Sequence, residues 1–188
     1  MAHIHTEPGH HDLTVSAFVF RTDGDEPKIL LHWHKKLHVW MPFGGHVELN
    51  ETPWAAVAHE LLEESGYNLQ QLQLLQPPDA LVDFQDVSIA HPLPFIFGTH
   101  PFDGKIAHYH TDASFLFATK QEPQHEIDES ESSALQLFSS QEIQNIPSSK
   151  ILQNVRVAVL YAFDLLRKWR AVDALAYSVG SPKILGKP

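Results

Sequence analysis

The chain has 188 residues, with 13 Lys+Arg against 23 Asp+Glu and a formal charge of −10 with histidine neutral. That length supports one sizeable core, and that balance excludes a broad phosphate-backbone footprint, so no nucleic-acid polymer is expected as partner. It is 43% hydrophobic and lacks cysteine, which excludes wholesale disorder, disulfides, thiolate zinc sites and thiol nucleophiles.

No apolar run approaches the ~18–20 residues that span a bilayer, and the N-terminus lacks a basic start followed by an apolar stretch. A soluble cytoplasmic protein with no membrane partner is expected. The 14 histidines are scattered, never six in a row, and contain no His-Glu-x-x-His. They read mostly as surface or strand residues.

In chain order, Thr14–Phe20 is β-rich and stops before the turn cluster Asp23–Pro27. Lys28–His34 reads as the second strand of that pair. Val39–Met41 is expected as a short third strand, stopped by Pro42 and the Gly44–Gly45 pair. A helix then runs from Pro53 to Ser65. Proline suits its first turn, Thr52 or Asn50 can cap its free amides, and Gly66 offers a left-handed C-cap. Trp54, Val57, Ala58 and Leu61 form its apolar stripe.

Further strands are expected at 72–75, 94–97 and 107–119. Segment 121–133 has five acids and no Lys or Arg, so it reads as a solvated loop. A second long helix is expected from about Ser149 to Trp169, and Ala171–Pro188 reads as a loosely held tail. No repeat or linker divides the chain. One α/β domain over 1–188 with mixed strand order is expected, with 1–12 and 171–188 peripheral.

Glu60, Glu63 and Glu64 stand three and four apart on the first helix, hence on one face. They repel one another, and they crowd the helix end where the dipole disfavours anions by about 0.3–1 kcal/mol each at a surface. No Lys or Arg occurs from Leu37 to Gly104 to neutralise them. A solvated acidic face is one reading. The other is a cation from solution, and hard carboxylate oxygens suit Mg²⁺ or Mn²⁺.

The surrounding residues add a longer pattern. Gly45 is followed by five residues and Glu51, then by seven residues and His59-Glu60-Leu61-Leu62-Glu63-Glu64-Ser65-Gly66-Tyr67. This resembles the Nudix box at every spacing, introduced by Met41-Pro42-Phe43-Gly44-Gly45. One position departs: His59 stands where the family nearly always has Arg. In the family that Arg pairs with the first Glu of the box, here Glu51, and a protonated His59 could still donate to it.

The resemblance implies an α/β/α sandwich around a mixed sheet. It implies that Glu60, Glu63 and Glu64 ligate Mg²⁺ or Mn²⁺ and carry catalysis, with a Gly44 or Gly45 carbonyl completing the shell. Glu60 is also a candidate base acting through a bound water. The implied reaction is water attack on a small diphosphate, with a nucleoside triphosphate or other small nucleotide favoured. Glu51, His59 and Gly66 are then structural, and a homodimer is compatible with the family's habits.

A further carboxylate is expected from the acidic loop. Glu131 comes first, ahead of Glu126 and Glu129, because Leu137-Phe138-Ser139 is similar to the stretch that follows this loop in the family. Simple surface acidity explains any one of them as well. His34, Lys35 and Lys36 end the second strand, where they can meet phosphates or merely fill a turn. Alternation sends His108, His110 and Asp112 to one sheet face, which lines a cleft or faces solvent. Phe43, Trp33 and Trp40 can stack on a base or pack. Glu48 can contribute outer contacts or stand exposed.

Two rivals share the scaffold. A diphosphate isomerase of this family uses a cysteine that the chain lacks. A non-catalytic nucleotide-binding or regulatory domain is suggested by His59.

Overall fold

The computed structural model describes residues 7–84, 88–103, 108–127 and 132–180. Its centre is β1 (His11–Arg21), whose side chains alternate between two cores. Val15, Ala17 and Val19 lie under Trp54, Val57 and Leu61 of α1 (Pro53–Ser65), whereas Phe18 and Phe20 meet Val155, Val159 and Ala162 of α3 (Gln153–Leu165). Each buried Val, Leu or Phe among them contributes roughly 1.5–3 kcal/mol. Helices therefore cover both faces of one mixed sheet, as the α/β/α expectation requires.

Along β1 the partner changes. Residues 19–21 pair antiparallel with β2 (Lys28–His34), and residues 14–17 pair antiparallel with β4 (Phe43–His46). On its other side β1 runs parallel to β7 (His108–Thr119) over its whole length. β3 (Val39–Met41) and β8 (Ser132–Phe138) flank β2; β5 (Gln73–Gln76) and β6 (Ile96–Asp103) flank β7.

α1 has the expected bounds. Thr52 Oγ1 accepts from the Ala55 N–H at 3.2 Å, and Gly66 closes the helix at φ 71°. Elsewhere the boundaries move. β1 begins at His11 rather than Thr14, and β6 runs on to Asp103 instead of stopping at Phe97. The closing helix spans only Gln153–Leu165, because Ile151 bridges to Trp40 as extended chain and a separate short helix, α2 (Ser140–Asn145), precedes it.

Two segments correct the sequence reading outright. The Gly44–Gly45 pair does not end strand structure but lies inside β4. A Cβ on Gly44 would fall 2.0 Å from the Val15 carbonyl oxygen, so glycine lets β4 approach β1. The expected loose tail is anchored: β9 (Arg170–Asp173) pairs antiparallel with β5. Beyond it Ala174 and Tyr177 are buried, and Trp54 Nε1 donates to the Tyr177 carbonyl at 3.2 Å. Residues 181–188 lie outside the described residues. Among those described, no helix is long and apolar enough to cross a membrane.

Candidate active site

The last turns of α1 and the β4 strand form the candidate site. Helical spacing puts Glu60 and Glu64 on the buried side of α1, only 2% and 4% exposed, while Glu63 faces solvent. Glu64 Oε2 accepts from the Gly44 N–H at 2.7 Å, so a backbone donor in β4 holds this carboxylate. Its other oxygen lies 3.7 Å from His32 Nδ1. His32, from β2 and 1% exposed, also tilts against Phe43 with ring centroids 5.5 Å apart.

His59 links the loop to the helix. Its Nδ1 lies 2.8 Å from Glu51 Oε2, and its Nε2 lies 3.4 Å from Glu60 Oε1. Glu51 Oε1 in turn accepts from the Glu48 N–H at 2.9 Å, which folds the exposed Glu48 loop back on itself. One imidazole thus bridges two box carboxylates.

The end of the helix is pinned as well. The Gly66 carbonyl accepts from the Gln124 and His125 N–H groups at 3.2 and 3.1 Å, and a Cβ on Gly66 would meet the His125 carbonyl at 2.2 Å. Tyr67 is buried, which raises its pKa, and its hydroxyl donates to the Gln121 carbonyl at 2.6 Å. Arg21 Nη1 reaches Tyr67 at 3.5 Å and Glu122 at 2.7 Å, while its Nη2 reaches Asp23 at 2.7 Å. The guanidinium holds both carboxyls below their usual range.

The other expected site residues divide. His34 lies beside His32, ring centroids 5.9 Å apart, and Lys35 is half-buried in the adjoining turn. Gly45 is half-buried in β4, opposite Val15. Phe43 is fully buried, so it packs and cannot stack on a base. His110 and Asp112 are not brought to the glutamates. Their register with Asp12 and Thr14 of β1 puts them on the face opposite α1. There Asp112 accepts from Thr14, Ser16 and Ser114 hydroxyls at 3.0, 3.0 and 2.7 Å, and burial raises its pKa.

Glu131 and Glu129 lie outside the described residues, and Glu126 is exposed. His32 joins the site from β2 without belonging to the box. Strand alternation carried back two residues from His34 points to it.

The NUDIX domain family profile matches residues 10–155. No curated protein matches the chain. Among solved structures, a NUDIX-family hydrolase from Clostridium perfringens is 29% identical, covering 82% of this chain and 97% of that one at TM-score 0.65. A NUDIX hydrolase from Nitrosomonas europaea is 20% identical over 92% of this chain and 100% of its own, at TM-score 0.55. A MutT NUDIX hydrolase from Burkholderia pseudomallei is 20% identical over 84% and 98%, at TM-score 0.53. The two at 20% share the fold.

Proposed function

The chain belongs to the Nudix family, whose members are pyrophosphohydrolases, and from that premise we propose a divalent-metal-dependent enzyme cleaving a small diphosphate-linked substrate. A nucleoside triphosphate or another small nucleotide is the favoured class. The reading is carried by one observation: two glutamates buried at 2% and 4% at a helix end, one of them gripped by a backbone amide of the adjacent strand. Burying carboxylates there is costly unless they are paired, hydrogen-bonded or bound to a cation, and a bound cation would offset both at once.

The donor set fits Mg²⁺ or Mn²⁺, because Glu60, Glu63, Glu64 and one carbonyl of the Gly44–Gly45 pair are all hard oxygens. When bound, such an ion neutralises phosphate charge and acidifies water. The chain's own residues do the rest. The Gly44 N–H fixes the Glu64 carboxylate, and Glu51 orients His59, which steadies Glu60. Glu60 accepts the proton of the attacking water, provided that water sits about 2.6–3.2 Å away. His34 and Lys35, at the end of β2, meet the substrate phosphates.

Purified protein should release phosphate or pyrophosphate from members of a diphosphate panel with Mg²⁺ or Mn²⁺, products being identified by mass. Glu63→Gln, which removes a proposed metal ligand, should lower kcat by orders of magnitude. Nucleotide binding without release from any panel member would leave a non-catalytic binding domain as the better reading.

A further inference from the structure

We propose that Asp12, His46 and His110 form a second divalent-metal site, suited to Zn²⁺ or Co²⁺, on the sheet face opposite α1. Each residue comes from a different strand: β1, β4 and β7. Register sets them together. Asp12 stands opposite His110, and His46 stands opposite Thr14, two residues along β1 and therefore on the same face as Asp12.

All three are buried, 1%, 7% and 8% exposed. One ligand atom from each lies within 4.8 Å of the other two. His46 Nε2 is 3.3 Å from Asp12 Oδ2. A tetrahedral ion with bonds of about 2.0–2.1 Å spaces its ligands roughly 3.3–3.4 Å apart. The Asp12–His46 edge already has that length, and closing the others takes shifts within about 1.5 Å.

Two imidazoles and one carboxylate select a borderline ion over Mg²⁺, the reverse of the all-oxygen set on α1. His108 Nε2 lies 3.2 Å from the same Asp12 oxygen, the outer contact that orients a ligating carboxylate. Phe102 stacks on the His110 ring at 4.6 Å and limits its rotation. Since His46 directly follows Gly45, the ion ties β1, β4 and β7 together at the root of the loop carrying Glu48 and Glu51. Three protein ligands leave a fourth position for water or a small anion.

The test is titration of metal-stripped full-length protein with Co²⁺ in excess Mg²⁺, which fills oxygen ligands and competes weakly for imidazole. One equivalent should give the intense visible bands of a four- or five-coordinate nitrogen–oxygen site, removable by Zn²⁺. Tm should rise by roughly 5–10 °C at a hundredfold excess over Kd. His46→Gln and His110→Ala, folded by circular dichroism, should each abolish the bands, while exposed His125→Ala keeps them. No bands in the wild type, or full bands in either variant, overturns the proposal. X-ray absorption of the Co²⁺-loaded wild type needs no variant: imidazole scattering supports the site, and an all-oxygen shell overturns it.

Discussion

The two faces of the sheet carry two kinds of polar cluster built on opposite plans. On the α1 face, three carboxylates come from one helical stretch, and one of them, Glu63, faces solvent. On the other face, Asp12, His46 and His110 come one from each of three strands and are all buried. The first is set mainly by local helical spacing, with β4 adding the Gly44 amide that holds Glu64. The second depends on register, and a one-residue slip of β4 or β7 would send its imidazoles to the wrong face. A single sheet can thus present a hard oxygen set and a borderline nitrogen–oxygen set without one competing for the other's ion.

Glu63→Gln should give the largest separation. Hydrolysis falls by orders of magnitude, while Tm and the Co²⁺ spectrum stay at their wild-type values. A joint loss of both would merge the two faces into one site. Gly44→Ala should instead damage both, because β4 supplies the amide for Glu64 and the strand that carries His46. Its Cβ would collide with Val15 at 2.0 Å, and a loss of roughly 3 kcal/mol in denaturant unfolding is expected.

A finer test acts on the α1 face alone. His59→Ala, which removes the contacts to Glu51 and Glu60, should cost about tenfold in kcat. His59→Arg should preserve or raise it in steady-state kinetics. A large loss with arginine would give the imidazole a role of its own.

The smallest effect concerns the anchor behind Tyr67. Arg21 depresses the pKa of Asp23 and Glu122, so the folded state binds fewer protons there than the unfolded chain. Their contribution is complete above the unfolded carboxylate range and disappears as pH falls through the depressed values. Glu122→Gln should lower Tm by roughly 1–2 °C near neutrality and by nothing in strong acid.

The α1 cluster was legible in the sequence because its determinants are neighbours. Thr52 and Pro53 start the helix, Gly66 ends it, and the eight-residue step from Glu51 to His59 returns on the helix to meet the loop. The Asp12 cluster has no linear spacing to read, since its members meet only through strand pairing. β4 was hidden for a related reason: glycines read as a stop when the close approach of β1 that requires them is unseen. Arg170–Asp173 offers four largely exposed residues with no strand pattern, and its pairing with β5 supplies the order. Of the two readings open for Phe43, burial selects packing. An aromatic beside a glycine pair suits a stacking surface or a core equally well, and the weight of α1 above it decided for the core.

Gly66 does more than finish a helix. By accepting from Gln124 and His125 it hangs the acidic segment from the last glycine of the box. The start of that segment is therefore placed by the backbone of the box itself, two residues before the point where α1 hands over to Asn68. Any side chain at this position would force the two segments apart, so the glycine is a joint between helix and loop as well as a terminus.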